Sequence, residues 1–215
     1  MDRVAVLASG GLDSSVLLAD LARHSIVFPV YVQVGLAWEN EERDALESFL
    51  TALDSPNVRP LTVLSLPIQP LYHDHWSVTG VGVPEYEDPD GAVFLPGRNI
   101  LLIGLVAVWC STHDVSKIAI GLLAGNPFPD ATPEFFEAFE SSLSQGLAHR
   151  INILLPYRGL HKDDIIRQFN DLPLELTITC MAPRGGVHCD GCNKCRERRQ
   201  AFEGAGVADP TYYAK

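Results

Sequence analysis

The feature that most limits how this chain folds is a turn close to its start. An apolar run at residues 4–8, VAVLA, leads into SGGLDSS at residues 9–15, and apolar residues then recur with helical spacing through Val16, Leu17 and Leu21. A short, β-branched, continuously apolar run reads as a buried strand. Gly10 and Gly11 open backbone conformations closed to other residues and let the chain come close to a ligand. Ser9, Ser14 and Ser15 add hydroxyls, and the N-terminus of the following helix adds roughly half a positive charge. Residues Ala8, Ser9, Gly10, Gly11, Leu12, Asp13, Ser14 and Ser15 therefore form a candidate anion cradle built without a lysine. The turn carries neither GxxxxGK[ST] nor GxGxxG, so the two commoner nucleotide loops are not indicated.

The rest of the chain continues the alternation. Strands are expected at residues 27–34 and 58–66, with an acidic helix at 39–53 between them whose apolar stripe runs through Ala45, Phe49 and Leu53. This β-α-β-α-β order implies a parallel sheet with right-handed crossovers. Residues 67–93 break the rhythm with four of the fifteen prolines and a dense group of His, Tyr, Asp and Glu, the mark of a lid or binding loop. His73 and His75 read there as a solvated pair. A buried helix follows PGRN at residues 96–99, and Cys110 on it reads as core. Then come a strand at 117–123, a helix with Thr132 as N-cap and Pro133 at its first position, a strand at 151–156 and a short helix at 161–169.

With 215 residues, 47% apolar and 20% charged, the chain suits one α/β domain with a small appendage. The boundary is expected at residue 172, with 1–172 as the nucleotide-binding domain and 173–215 as a cysteine-rich extension ending in a helix stopped at Gly204. A net charge of −11 argues against a broad nucleic-acid surface. One local exception holds Arg184, Lys194, Arg196, Arg198 and Arg199, either a solvated helix face or a patch that receives a phosphate. No secretory pattern is visible, and the apolar run at 100–110 is too short to span a bilayer, so a cytoplasmic protein without membrane contact is expected.

Four of the five cysteines fall in the pattern Cys180-x8-Cys189-x2-Cys192-x2-Cys195. Two overlapping CxxC steps and an upstream thiol fit a four-thiolate structural zinc site, and an iron–sulfur cluster is the alternative. His188 reads as a bystander beside Cys189.

SGGLDSS resembles the SGGxDS signature of the PP-loop ATP pyrophosphatases, a Rossmann-like, adenine nucleotide α hydrolase-like fold. Their resemblance implies cleavage of ATP between its α- and β-phosphates, with Asp13 positioning Mg2+ or pyrophosphate. The pairing of that turn with the C-terminal cysteines and CRERRQAF is narrower, and together with PGRN, FPDATPEFFEAFE and HKDDII it resembles the 7-cyano-7-deazaguanine synthase family of queuosine biosynthesis. This resemblance implies that 7-carboxy-7-deazaguanine and ammonia become the nitrile through an adenylylated carboxylate and an adenylylated amide. It puts Asp13, Ser14, Arg98 and Lys162 in catalysis and Arg98, Asn99 and Asp130 against the substrate, with a homodimer as the assembly. The family's Asp-Tyr-Ser-Gly-Tyr-Pro-Asp-Cys run is replaced here by GLLAGNPFPDAT, which leaves the ATP half of the reading untouched and puts the base pocket in doubt. The competing readings are a PP-loop enzyme adenylylating another acid or a tRNA base, and a non-catalytic nucleotide-binding paralogue.

Overall fold

A computed structural model describes all 215 residues. Five parallel strands form one sheet in the order β3-β2-β1-β4-β5, with β1 at Asp2–Ala8, β2 at Ser25–Gln33, β3 at Thr62–Ser65, β4 at Lys117–Ala119 and β5 at Asn152–Leu154. The central β1 pairs with β2 along its whole length, from Asp2 opposite Ser25 to Ala8 opposite Tyr31. Its other edge pairs with β4, Val4 opposite Lys117.

Alternation along β1 divides the core. Val4, Val6 and Ala8 face α1 (Leu12–Ala22), α2 (Glu39–Leu53) and the C-terminal helices, while Ala5 faces the opposite layer. Two one-turn helices, α3 (Gln69–Tyr72) and α4 (Trp76–Thr79), follow within the segment read as a lid. The opposite layer is α5 (Arg98–Thr112), buried through Leu102, Ile103, Val106, Ala107 and Cys110, with α6 (Pro133–Leu147) beside it. Thr132 caps α6 as the sequence predicts, its hydroxyl accepting from the Phe135 N–H at 3.2 Å. Near the C-terminus, α7 (Lys162–Gln168) and α8 (Asn193–Ala205) pack together against α1.

Some boundaries differ from the expected ones. The third strand shrinks to Thr62–Ser65, and Val58 makes only an isolated bridge to Val27. The C-terminal helix runs past Gly204 and stops at Gly206, whose φ of +69° and N–H bonds to the Phe202 and Glu203 carbonyls end it in the left-handed manner. Gly204 instead lets α8 lie close to α7, where an added Cβ would sit 3.4 Å from the Asp163 Cβ. The cysteine-rich tail packs into both layers: Ile178, Met181 and the four clustered cysteines join the α5 side, and Leu174, Ala201 and Phe202 the α1 side.

Candidate active site

In a sheet of this order the chain reverses its direction of winding between β1 and β4, and a crevice opens there at the C-terminal strand ends. A cavity of about 520 Å³ occupies that place. Its floor is the turn after β1. Ser9, Gly11, Leu12, Asp13 and Ser14 line it together with Ala8. The two hydroxyls are tied to each other and to the turn: Ser9 Oγ lies 3.1 Å from Ser14 Oγ, and Ser14 Oγ accepts from the Ser9 N–H at 3.2 Å.

Gly10 and Ser15 stand apart from this lining. Ser15 is fully buried and its hydroxyl has no partner. Gly10 has φ +69°, and a Cβ on it would lie 2.2 Å from the Glu42 carbonyl oxygen. Its service is to let α2 rest directly on the turn. Gly121 does the same from the other side: a Cβ there would come 2.9 Å from the Asp13 carbonyl carbon. The glycine inside the strand-like KIAIGLL run was the available signal for that close approach.

Asp13, in the first turn of α1, forms an ion pair with Lys162 at 3.3 Å, and its second oxygen is buried without a partner. Lys162 opens α7, 11% exposed, and also bonds Glu197, which in turn bonds Lys194. Burial works against the charge of Lys162, yet Asp13 and Glu197 outweigh it and hold the lysine protonated beyond its ordinary range. Burial likewise opposes the charge of Glu197, and the two lysines prevail, keeping its carboxyl down at about 2. Lys194, from the basic stretch, and Glu197, from CRERRQAF, also line the cavity, although neither was singled out as a site residue; the cysteines beside them place α8 there.

Arg98 starts α5 immediately after Gly97, which has φ +75°, and its Nε is buried with no partner. Next to it, Asn99 and Asp130 are locked together. The Asn99 N–H donates to the Asp130 carboxylate at 3.0 Å, and the Asn99 side chain donates to the Asp130 carbonyl at 2.8 Å. Asp130 thereby caps α5 from a loop of the altered segment, and that segment supplies Leu122, Asn126 and Phe128 to the same wall.

The other wall is aromatic and acidic. Trp38 stacks on Trp76 of α4 at 5.8 Å, and both line the cavity. Glu42 on α2 accepts from Trp38 Nε1–H at 2.9 Å and from the Tyr31 hydroxyl at 3.2 Å. Its burial lifts the carboxyl to about 7, although the Arg98 guanidinium pulls in the opposite direction. The acidic helix was legible as an exposed one, and nothing in its spacing marks Glu42 as facing a site.

The segment 67–93 forms part of the enclosure, with Trp76, Asp90, Val93 and Phe94 on the cavity. His75 is half-buried, packs at a tilt against Trp76 with ring centroids 5.1 Å apart and caps α4 by accepting from the Ser77 N–H, which corrects its reading as a solvated residue; His73 is exposed. Arg196 of α8 grips the segment through the Tyr86 carbonyl, the Asp88 carbonyl at 3.0 Å and Asp90 at 3.1 Å. The basic cluster is therefore divided: Arg196, Arg198 and Arg199 are engaged within the protein, Lys194 lines the cavity and Arg184 is exposed. Arg198 is fully buried, donating to Thr211, Thr177 and the Leu174 carbonyl. Arg199 pairs with Asp190 and lies over Tyr213 at 3.7 Å.

The four tail cysteines gather as the spacing predicts, all buried, with their sulfurs within 4.8 Å of one another. Cys189 and Cys192 sulfurs lie 3.9 Å and 3.5 Å from that of Cys195. Tetrahedral thiolates about 2.3 Å from a metal stand roughly 3.8 Å apart, so this donor set fits a four-coordinate ion. The N–H groups of Cys189 and Ala182 donate to Cys180 Sγ at 3.2 and 3.4 Å. His188 is a bystander, its Nε2 accepting from the Thr179 N–H at 3.1 Å.

A parallel sheet with a glycine–serine turn at its switch point, a lysine pair beside it and four cysteines placed to hold a metal ion marks an α/β protein with its site at the switch point. The profile of the queuosine biosynthesis protein QueC matches residues 3–206, and the chain belongs to that family. It is 32% identical to 7-cyano-7-deazaguanine synthase 1 of Desulfitobacterium hafniense strain Y51 over 94% of this chain and 92% of that protein. It is 34% identical to the 7-cyano-7-deazaguanine synthase of Methanopyrus kandleri over 99% of each. Among solved structures, a predicted subunit of tRNA methyltransferase from Methanocaldococcus jannaschii shares the fold, with a TM-score of 0.50 and 15% identity over 78% of this chain and 74% of that one.

Proposed function

We propose that this protein is an ATP-dependent 7-cyano-7-deazaguanine synthase, converting 7-carboxy-7-deazaguanine and ammonia to the nitrile with release of AMP and pyrophosphate. The observation that carries the reading is the union in one cavity of the Ser9–Asp13–Ser14 turn with the Lys162 cation and a wall suited to a planar ring, in a chain of this family.

The turn and the N-terminus of α1 cradle the phosphates, and Ser14 and Lys162 stabilise the charge that develops on the departing pyrophosphate. The unpartnered Asp13 oxygen suits a Mg2+ ion carried in with ATP, which supplies Lewis-acid polarisation of the phosphates. Arg98, half-buried with its Nε enclosed and unpartnered, faces the developing charge from the α5 side. The Asn99–Asp130 pair offers an acceptor to the N–H edge of the deazaguanine ring. The thiolate site holds structural zinc, an ion worth on the order of 10 kcal/mol to a small module. We assign residues 1–172 to the nucleotide-binding domain and 173–215 to the metal-bound extension. The protein works in the cytoplasm, consistent with five cysteines of which none forms a disulfide, and as a homodimer, supported by the exposed Ile100 and Val108 on the outer face of α5.

A second reading keeps the chemistry and changes the acid. Leu122, Asn126 and Phe128 of the altered segment wall the cavity, so they shape what ring it accepts. Acid-dependent ATP–pyrophosphate exchange tests both. Exchange that requires 7-carboxy-7-deazaguanine supports the first reading, exchange with another acid supports the second, and exchange with none removes both.

A further inference from the structure

An acyl-adenylate reacts with ammonia, whereas the solution at neutral pH supplies mostly ammonium. Some group in the cavity has to take that proton. Five carboxylates line the cavity, and four are committed. Asp13 is paired with Lys162, Asp90 with Arg196, and Glu197 with two lysines. Asp130 is fixed at the N-terminus of α5 by the Asn99 N–H, where the helix dipole favours its charge. Each of the four thus already faces a cation or a helix N-terminus, although burial raises the affinity of Asp13 for a proton.

Glu42 is held differently. Its two oxygens accept from neutral donors only, Trp38 Nε1–H and the Tyr31 hydroxyl, which fix its orientation and leave lone pairs free. Gly10 presses the Glu42 backbone against the phosphate turn, so this side chain rises from the edge of the floor. The groups that act on it are Arg98 from α5, Tyr31 from β2 and Glu39 from its own helix. Glu39 is itself occupied, accepting from the Val34 and Gly35 N–H groups at 2.6 and 2.9 Å.

We propose that Glu42 is the general base of the amide-forming step. This rests on the reading of the cavity as an adenylylating site. Ammonium gives one proton to Glu42, and the freed nitrogen lone pair bonds to the acyl carbon of the adenylate. Glu42 passes this first proton to solvent and takes a second N–H proton from the adduct as the carbon–oxygen bond to AMP breaks, its electron pair leaving on the phosphate oxygen. Glu42 returns its proton to solvent, so no oxidant or further reactant is involved. A base whose carboxyl titrates at about 7 is matched to this transfer at neutral pH.

The test separates adenylylation from nitrogen transfer in Glu42→Gln, with Glu42→Asp as the variant that keeps a carboxylate. In Glu42→Gln, acid-dependent pyrophosphate exchange is expected to persist while ammonia-dependent amide formation falls ~10²-fold or more. Hydroxylamine, uncharged at neutral pH, is expected to restore product formation to near the wild-type hydroxylamine rate. The wild-type ammonia step should quicken as pH rises through about 7, and Glu42→Asp should retain such an inflection that Glu42→Gln lacks. Amide formation by Glu42→Gln at the wild-type rate and pH dependence would overturn the proposal, as would equal losses with ammonia and hydroxylamine. Absence of exchange and of product in the wild-type protein strikes instead at the adenylylating reading beneath it.

Discussion

Single residues set the geometry of the floor. Gly10 combines a left-handed backbone with a 2.2 Å approach of its missing Cβ to the Glu42 carbonyl. Gly10→Ala is therefore expected to lower stability by about 2 kcal/mol or more, read as a fall in the denaturation midpoint. Glu42 makes a pH-dependent prediction of its own. Its carboxyl is raised from 4.5 to about 7, so the native state binds its proton more tightly than the unfolded chain does. The ionised form then weakens the fold; this penalty is absent below about 4.5, grows up to about 7 and stays constant above. Glu42→Gln should therefore gain stability relative to the wild type across that window, at most on the order of 3 kcal/mol. Thermal denaturation at several pH values checks this, and a gain that is greatest in acid would contradict it. The phosphate turn, Arg98 and Lys162 were legible in the sequence because each sits in a motif or at a helix start. Glu42 was not, and Lys194 and Glu197 showed only as parts of the basic tail, because what brings them to the cavity is packing between elements far apart in the chain.

At the scale of elements, α8 joins the metal site to the cavity. Cys192 and Cys195 fix its first turn, Glu197 bonds both Lys194 and Lys162, and Arg196 holds the Tyr86–Asp90 stretch of the enclosing segment. Stripping the metal with a chelator is therefore expected to do more than loosen the tail. Hydrogen exchange should accelerate in residues 84–94 as well as in 180–199, and the KM for ATP should rise. Exchange confined to the tail, with ATP kinetics unchanged, would show that the two regions are uncoupled. The helices of the two layers were legible from their 3.6-residue periodicity and caps, and α2 matches its expected bounds at Glu39–Leu53. The outer strands were overestimated, because an apolar run such as residues 58–66 reports burial and not how far neighbouring strands remain in register. The one-turn helices at Gln69–Tyr72 and Trp76–Thr79 lie below the length at which periodicity speaks.

For the whole molecule, strand order decides where chemistry sits: the turn after β1 lies at the switch between β1 and β4, and every wall of the cavity is assembled around it. The alternation of strands and helices made the parallel sheet legible, but its order required the structure. For the proposed homodimer, Ile100 and Val108, 47% and 49% exposed, make the outer face of α5 the expected contact. Replacing both with glutamate should shift the protein to monomer in sedimentation, whereas an unchanged dimer would place the contact elsewhere. The most direct test of the central claim is mass spectrometry of the product made from 7-carboxy-7-deazaguanine, ammonium, Mg2+ and ATP. The expected result is 7-cyano-7-deazaguanine accompanied by AMP and pyrophosphate, abolished in Asp13→Asn. Unaltered acid with no AMP formed by a folded, metal-loaded protein would contradict it.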